Sequence, residues 1–401
     1  MDLLKRIRKI QDLPLEGRRV FMRVDLDCPL SPEGNILDDW KIQIALPGIR
    51  HAIDQGARLV LASHLGRPEG RRTPELSMRI VGERLAELLG NVDVYMPEDC
   101  VGDGPRKVVM ERMDGDVVLL ENLGFYPEDA ANDELFAQRL SSLADVYILE
   151  SLGVAHLKQA SVASTAKHFS EKGAGMALTK ELAILGKLLG GADAPFVAVL
   201  GGEGADEKIP LVNNLMGKAK SVLVGGAIAS TFLAAKGIRT GLTPIEDDRK
   251  DVASNLLARA KLRGNEILLP TDVIVSIGTE GAGDVRAVQV ENIPSNATVI
   301  DIGPDTAALY ARRIGSSKTV FWNGTMGHYG TGRAAEATEI VAKAIARSSA
   351  TSIVGGVETV EAVSRFVLKP FFSHVSLGGS ACIRLLSGQE LPGLEALKED
   401  D

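Results

Sequence analysis

Short apolar runs in this chain are followed by two kinds of loop, and each kind could support a different chemistry. In the first half the loops carry charged, amide and histidine side chains, in the segments Arg23-Val24-Asp25-Leu26-Asp27, Ser63-His64-Leu65-Gly66-Arg67, Glu121-Asn122-Leu123-Gly124 and Glu150-Ser151-Leu152-Gly153. Such side chains suit a small polar metabolite. In the second half the loops are glycines, at Gly201-Gly202, Gly225-Gly226, Gly303, Gly324, Gly355-Gly356 and Gly378-Gly379. Glycine lets the backbone approach a ligand closely, so these loops suit phosphate groups.

The apolar runs that precede these loops are typical of buried parallel strands, because they are continuously apolar and alternate with helical stretches. We predict strands over Arg19–Val24, Arg58–Ala62, Asp116–Leu120, Asp145–Leu149, Phe196–Leu200, Ser221–Val224, Asp272–Ser276, Thr298–Ile302, Thr319–Trp322 and Thr351–Val354. The pattern indicates a doubly wound α/β fold. Ligands of such sheets lie beyond the carboxyl ends of the strands, so we expect one binding cleft in each half.

Length and composition agree with this organisation. A chain of 401 residues, 45% hydrophobic and 24% charged, favours two globular domains. With 45 basic and 53 acidic residues the net charge is −8, which argues against nucleic acid as a partner. The three cysteines show no metal-ligand spacing, and no apolar run is long enough to span a membrane, so we expect a cytoplasmic protein.

A helical stretch from Leu178 to Leu189, closed by Gly190-Gly191, lies between the two halves. We therefore predict a first domain over residues 1–177, a connecting helix over 178–190 and a second domain over 191–385. Residues 386–401 are expected to return toward the first domain.

Several loops together resemble those of the phosphoglycerate kinase family. The matching segments are Arg23-Val24-Asp25-Leu26-Asp27-Cys28-Pro29-Leu30, Ser63-His64-Leu65-Gly66-Arg67-Pro68, Glu121-Asn122-Leu123-Gly124-Phe125-Tyr126, Ala155-His156, Leu200-Gly201-Gly202, Asp301-Ile302-Gly303-Pro304, Trp322-Asn323-Gly324-Thr325-Met326-Gly327 and His374-Val375-Ser376. They occur in the family's order from about residue 10 to 395. The resemblance implies two Rossmann-like lobes with parallel sheets, joined by a connecting helix and hinge.

The resemblance also implies an activity. The first lobe would bind 3-phosphoglycerate or 1,3-bisphosphoglycerate, and the second would bind ADP or ATP with Mg²⁺. A phosphoryl group would pass between the acyl phosphate and the nucleotide after hinge closure, in glycolysis or gluconeogenesis. We expect a monomer whose partners are a small phosphorylated acid and an adenine nucleotide.

Site residues follow from the resemblance position by position. The implied acceptor-binding residues are Arg23, Asp25, Asp27, Lys41, His64, Arg67 and His156. Lys41, Gly378 and Gly379 take the catalytic positions. The implied nucleotide-binding residues are Gly201, Gly202, Lys208, Gly225, Gly226, Asn323, Gly355, Gly356, Glu358 and Thr359, with Glu358 also the metal-contacting carboxylate.

Other positions depart from the family's pattern. Arginines of the family are replaced at Gly124 and Leu157, its first phosphate-loop lysine at Gly204, and its ribose-binding glutamate at Gly330. Asp27 replaces an asparagine and adds a negative charge. These changes predict weakened activity, because cations aimed at a transferring phosphoryl group contribute about 10³ to 10⁵ in rate. They leave open a second hypothesis, a non-catalytic paralogue that binds a nucleotide or anionic metabolite as a regulatory or scaffold protein.

Overall fold

A computed structural model describes residues 3–278, 284–328 and 335–399. The chain divides into two compact units. The first unit contains the described residues up to Ile184 together with those from Glu390 to Glu399, and the second unit contains Leu185–Gln389. No helix in the described part of the chain has the length and apolar content that crossing a bilayer requires.

The first unit is built on a six-stranded sheet in which every pairing is parallel, with strand order β3-β4-β2-β1-β5-β6. The strands are β1 Arg19–Arg23, β2 Arg58–Ala62, β3 Val94–Tyr95, β4 Val117–Leu119, β5 Val146–Leu149 and β6 Lys172–Ala174. All residues of β4 and β5 are buried, as expected for strands covered on both faces. The carboxyl ends of β1, β2, β4 and β5 therefore meet at one edge.

Helices cover both faces of this sheet. They are α1 Trp40–Asp54, α2 Arg79–Leu89, α3 Asp103–Met110, α4 Pro127–Ala130, α5 Glu134–Ser141, α6 Leu152–Ala155 and, from the end of the chain, α15 Pro392–Leu397. The apolar side of α1 packs into the core cluster of this unit through Ile42, Ala45 and Ile49. Full burial of one such aliphatic side chain stabilises the fold by about 1.5–3 kcal/mol.

Helix α7, Met176–Gly190, covers the stretch 178–190 that was predicted to be helical, and the division between the two units falls within it. Its first turn is held by a buried carboxyl group, because Glu150 Oε1 accepts a hydrogen bond of 2.8 Å from the Ala177 amide. Burial raises the pKa of Glu150 to about 8. Gly175 has to be glycine here, since a Cβ on it would lie 1.5 Å from Glu150 Oε2.

The second unit also contains a six-stranded parallel sheet, with order β15-β14-β13-β7-β8-β9. Its strands are β7 Phe196–Leu200, β8 Ser221–Val224, β9 Glu266–Leu268, β13 Thr319–Asn323, β14 Thr351–Gly355 and β15 His374–Val375. Its helices are α8 Ala205–Leu215, α9 Gly226–Ala235, α10 Lys250–Arg263, α11 Pro304–Gly315, α12 Glu336–Arg347, α13 Val357–Arg365 and α14 Gly379–Leu386. The second unit thus repeats the doubly wound arrangement of the first.

Two predicted strands belong to a different sheet. The runs at Asp272 and Thr298 form β10 Asp272–Ile277 and β12 Ala297–Ile302, which pair antiparallel with each other, and β10 also pairs antiparallel with β11 Asp284–Gln289. The prediction that these runs join a parallel sheet was wrong. Strand β11 is mostly exposed and lacks a continuous apolar run, so the sequence pattern did not reveal it as a partner.

The other eight predicted strands occur within a residue or two of the expected bounds. The short strands β3, β6, β9 and β15 have two or three residues each, and the apolar pattern missed them. Short edge strands carry too few residues for a periodic pattern to develop.

A strained residue follows the end of helix α13. Val367 has φ +57 and is 76% exposed, while its amide donates to Ser364 O and the Leu368 amide donates to Val363 O, both at 2.9 Å. This is the position after a helix where glycine is usual, because a β-branched residue is unfavourable at positive φ.

We expect Val367→Gly to stabilise the second unit by about 0.5–1 kcal/mol. Relief of left-handed strain, about 1–2 kcal/mol, exceeds the entropy that glycine adds to the unfolded chain, about 0.5–1 kcal/mol. Val357→Gly is the matched control, since Val357 starts the same helix, is 75% exposed and does not have a positive φ. The control should lose stability. Urea denaturation midpoints test both, and a lower midpoint for Val367→Gly would contradict the strain assignment.

Candidate active site

In the first unit the loop cluster is built around a buried arginine. Arg23 ends β1 and has no solvent exposure. Its Nε donates to Ser161 Oγ at 3.1 Å, Nη1 donates to the Val24 carbonyl, and Nη2 lies 3.4 Å from His64 Nδ1. Burial lowers the pKa of Arg23, against the attraction of Asp129. The guanidinium group therefore contacts His64 from the buried side of the loop cluster and is not exposed to solvent.

Asp27 joins the loop after β1 to two other elements. Its Oδ1 accepts the Gly66 amide at 2.8 Å, which ties the loop after β2. Its Oδ2 lies 3.7 Å from Lys41 Nζ on α1 and 3.9 Å from His64 Nε2. Lys41 Nζ is also 3.1 Å from both oxygens of Asp25. The structure thus brings together five of the predicted acceptor residues, namely Arg23, Asp25, Asp27, Lys41 and His64.

The charges in this cluster follow from its partial burial. Burial would lower the pKa of Lys41, but the carboxylates of Asp25 and Asp27 outweigh it and raise that pKa. Burial would likewise raise the pKa of Asp25, and Lys41 with His64 reverses the effect and lowers it. Burial and Arg23 lower the pKa of His64 below its usual 6.5. At neutral pH Asp25 is therefore a carboxylate, Lys41 is an ammonium group and His64 is a neutral imidazole beside Arg23.

Residues that sequence reasoning left out of the site form its buried support. Asn122 is fully buried, and its Oδ1 accepts the amides of Leu65 and Gly124 while its Nδ2 donates to two carbonyls of the neighbouring loops. Asp129 accepts the amide and hydroxyl of Ser161, at 2.7 and 3.2 Å. Asn122 lies three residues after the end of β4, so its place in a loop that follows a strand was an available signal. Asp129 lies on α4, and nothing in the sequence marked it.

The other predicted acceptor residues are placed differently. Arg67 follows Gly66, is exposed, and makes no ion pair within the described part of the chain. His156 is half-buried at the carboxyl end of α6. Gly124 is packed closely, since a Cβ on it would lie 2.9 Å from Pro68 Cγ, and Leu157 is half-buried beside His156.

The second unit contains a cavity of about 550 Å³ at the carboxyl ends of its strands. It is lined by loop glycines after β7, β8 and β13, by the end of β12 and by the first turn of α13, including Gly202, Gly204, Gly226, Asp301, Ile302, Thr325, Gly327, His328 and Glu358. Of the predicted nucleotide residues, Gly202, Gly226 and Glu358 line the cavity directly. This is the place where ligands of open α/β sheets bind.

The glycine pairs also serve to pack the loops against each other. The Gly202 amide donates to Thr325 O and the Gly226 amide donates to Met326 O, both at 2.7 Å. A Cβ on Gly201 would lie 2.1 Å from Thr325 O, and one on Gly226 would lie 2.3 Å from the Gly202 nitrogen. These glycines are therefore required by backbone contacts within the protein, in addition to any contact with a ligand.

Lys208 lies beneath this cavity and links the ends of two strands. Its Nζ donates to Gly201 O at 2.8 Å and to Asn323 Oδ1 at 2.5 Å, and it lies 3.7 Å from where a Cβ of Gly202 would be. Burial lowers the pKa of Lys208 to about 8, although the nearby Glu358 carboxylate raises it. The ammonium group therefore lies behind Gly202 and does not line the cavity.

The remaining predicted nucleotide residues extend the same network. Asn323 Nδ2 donates to Gly355 O at 2.9 Å, and the Gly324 amide donates to Thr359 Oγ1 at 2.7 Å. Gly225 and Gly356 are also packed against protein atoms. The predicted catalytic glycines lie at the start of α14, where Gly379 has φ +50 and open space around it, and neither lines the cavity.

Among the cavity residues that were not predicted, two carboxylates accept hydrogen bonds from backbone amides. Asp301 is the last residue but one of β12, and its carboxylate accepts the amides of Ile302 and of Ala337 in the first turn of α12. Burial raises its pKa to about 7. Glu246 Oε1 accepts the Ala205 amide at 2.6 Å, so a carboxylate caps the first turn of α8. Asp301 belongs to one of the loop segments that resemble the family, whereas nothing in the sequence around Glu246 indicated a site residue. Gly330 lies outside the described residues.

Comparisons with known proteins agree along the whole chain. The family model described as phosphoglycerate kinase matches residues 10–389. A phosphoglycerate kinase of Anaeromyxobacter dehalogenans (strain 2CP-C) is 45% identical over 396 residues, covering 98% of this chain and 100% of that protein. One from Pelotomaculum thermopropionicum is 40% identical and covers 97% of this chain and 98% of its own. The solved structure of phosphoglycerate kinase from Coxiella burnetii superposes with TM-score 0.85 at 33% identity, covering 98% of both chains.

The ionisation of Lys208 predicts how nucleotide binding varies with pH. Lys208 is protonated below about pH 8 and loses its charge above it. We expect the affinity for ADP to fall on the order of tenfold between pH 7.5 and 9.5, because a neutral amine no longer attracts phosphate. Asp301, with a pKa of about 7, is already mostly ionised across this range.

Calorimetric titration of ADP across that pH range tests the assignment. Lys208→Met should bind more weakly at pH 7.5 and show little further loss. The control Lys236→Met removes an exposed lysine that follows α9 and should keep the wild-type profile. The same pH-dependent loss in Lys208→Met would assign the titration to another group.

Proposed function

The chain belongs to the phosphoglycerate kinase family, and from that premise we propose that its two units divide the family's reaction between them. The protein is a phosphotransferase with a carboxyl acceptor that exchanges a phosphoryl group between 1,3-bisphosphoglycerate and ADP. In our proposal the loop cluster of the first unit binds the phosphoglycerate, and the cavity of the second unit binds the nucleotide. An oxygen of the ADP β-phosphate attacks the acyl phosphate, and the carboxylate of 3-phosphoglycerate leaves.

The observation that carries the nucleotide assignment is the cavity at the strand ends. Its volume of about 550 Å³ is in the range of small-ligand sites, and amino ends of helices border it at Gly226 and at Glu358. Lys208 supplies a cation beneath it. The acceptor assignment is supported by the cluster of Lys41, His64 and Arg23.

A coupled assay is the direct test. Purified protein supplied with 1,3-bisphosphoglycerate and Mg·ADP should form ATP, and Lys41→Met should reduce the rate by at least about tenfold, since Lys41 is the proposed catalytic cation. The control Lys107→Met removes an exposed lysine on α3. ATP formation that Lys41→Met does not affect would place the catalytic cation elsewhere.

Relatives in this family imply a nucleotide substrate together with a metal. We propose that this metal is Mg²⁺ and that it enters as part of the nucleotide complex. Glu358 suits such a contact, because its carboxylate lines the cavity in the first turn of α13 and carboxylate oxygens are preferred by Mg²⁺.

We further propose that turnover is at least about a hundredfold below that of a chain with the complete set of cations. Gly204 occupies the position of a lysine in the family's pattern and lines the cavity. A missing cation at a transferring phosphoryl group lowers the rate by orders of magnitude. Gly204 has φ +79, and an added Cβ would meet nothing within 4 Å, so a side chain there has space but a strained backbone.

Restoring this cation should therefore raise activity. We expect Gly204→Lys to increase kcat by about tenfold or more, while KM for 3-phosphoglycerate changes little. Gly237→Lys is the matched control, because Gly237 has φ +81, is exposed and also has open space, but does not line the cavity. Both variants should lose a similar stability of about 1 kcal/mol. Equal kcat values for the two variants would refute a phosphoryl-directed role for position 204.

We also infer that the protein is a cytoplasmic monomer. This expectation rests on the family and on three cysteines that form no disulfide. Sedimentation at micromolar concentration, with and without Mg·ADP, tests the oligomeric state.

A further inference from the structure

The cation of the acceptor cluster is shared between two carboxylates. Lys41 Nζ lies 3.1 Å from Asp25, which is 9% exposed, and 3.7 Å from Asp27, which is 33% exposed. His64 is the other group near Asp27, at 3.9 Å, and it is neutral at pH 7 because burial and Arg23 lower its pKa. Asp25 alone would balance Lys41, so Asp27 is a second carboxylate on the same ammonium group. The guanidinium of Arg23 lies against His64 and donates inward to Ser161 and to the Val24 carbonyl.

The two oxygens of Asp27 have separate roles. Oδ1 accepts the Gly66 amide at 2.8 Å and holds the loop after β2. Oδ2 is the oxygen that faces Lys41 and His64. The charge of Asp27 can therefore be removed without removing the hydrogen bond that positions the loop.

We propose that Asp27 determines specificity by competing, as an internal anion, with anionic acceptors for Lys41. This proposal rests on the proposed acceptor site in the first unit. An acceptor that reaches Lys41 has to displace the carboxylate of Asp27 or bind beside it. Asp27 therefore weakens the binding of acceptors in proportion to their negative charge.

The size of the effect follows from Coulomb's law. Two like charges about 5 Å apart in a half-exposed site repel each other, and the repulsion grows linearly with the charge of the ligand. For 3-phosphoglycerate, with nearly three negative charges, we expect an effect of about tenfold in affinity. For D-glycerate, with one, the corresponding effect is about twofold.

The test is Asp27→Asn, which retains Oδ1 as an acceptor for Gly66 and replaces the charged Oδ2 with a neutral amide. Asp54→Asn is the control, because Asp54 is exposed at the far end of α1, the helix that carries Lys41, and the change in net charge is the same. Thirteen residues of helix separate the two positions, about 20 Å. Melting midpoints establish that each variant is folded, and Asp27→Ser provides a second neutral side chain.

Two readouts separate charge competition from a structural effect. In the direction that consumes ATP, KM for 3-phosphoglycerate should fall about tenfold in Asp27→Asn while kcat stays within about twofold. In Asp27→Asn the dissociation constants from NMR titration should decrease about tenfold for 3-phosphoglycerate and about twofold for D-glycerate, relative to wild type. The Asp54→Asn values should match wild type.

Equal improvement for both ligands, or an unchanged KM in a folded neutral variant, would overturn the role of Asp27 and leave the proposed function intact. A failure of both wild type and Asp27→Asn to bind 3-phosphoglycerate would instead overturn the acceptor assignment, and the inference would fall with it.

Discussion

Each unit depends on one buried cation at the carboxyl end of its parallel sheet. A buried cation needs oxygen partners, and loops after neighbouring strands supply them. In the first unit Arg23 donates hydrogen bonds to Ser161 Oγ and to the Val24 carbonyl. In the second unit Lys208 donates to Gly201 O and to Asn323 Oδ1. Because these partners belong to different loops, each cation fixes the geometry of a site that it does not itself expose.

This arrangement separates two sets of cations. The inner layer, Arg23 and Lys208, is hydrogen-bonded to the protein itself and is required by the fold. The outer layer consists of cations that would contact only a ligand. The inner layer is complete here, and removing a member would leave buried acceptors unpaired, at about 1–3 kcal/mol for each group. The described departures at Gly124, Leu157 and Gly204 belong to the outer layer. None of these three residues carries a charged side chain, and the chain still folds into two compact units.

The same separation explains how much the sequence could predict. Long buried strands have continuous apolar runs, so eight of ten runs gave the correct sheet, and loop motifs placed Asp27, His64 and Gly202 at strand ends. Contacts between loops carry no local pattern. Asp129 supports Ser161 from α4, Glu246 caps α8 across 41 residues, and β11 completes a small sheet while exposed. Each of these depends on tertiary placement, which neither spacing nor composition encodes.

The cavity of the second unit and the cluster around Lys41 in the first unit differ in how their charges are balanced. The cavity of the second unit is lined by the acidic residues Glu203, Glu246, Asp301 and Glu358, and Lys208 lies beneath it. A nucleotide that carries a divalent cation brings its own compensation to such a surface. A free acid that reaches Lys41 in the first unit brings no cation with it. The ammonium group of Lys41 already forms ion pairs with Asp25 and Asp27. Carboxylates near the bound ligand are therefore compensated at the nucleotide site and uncompensated at the acceptor site.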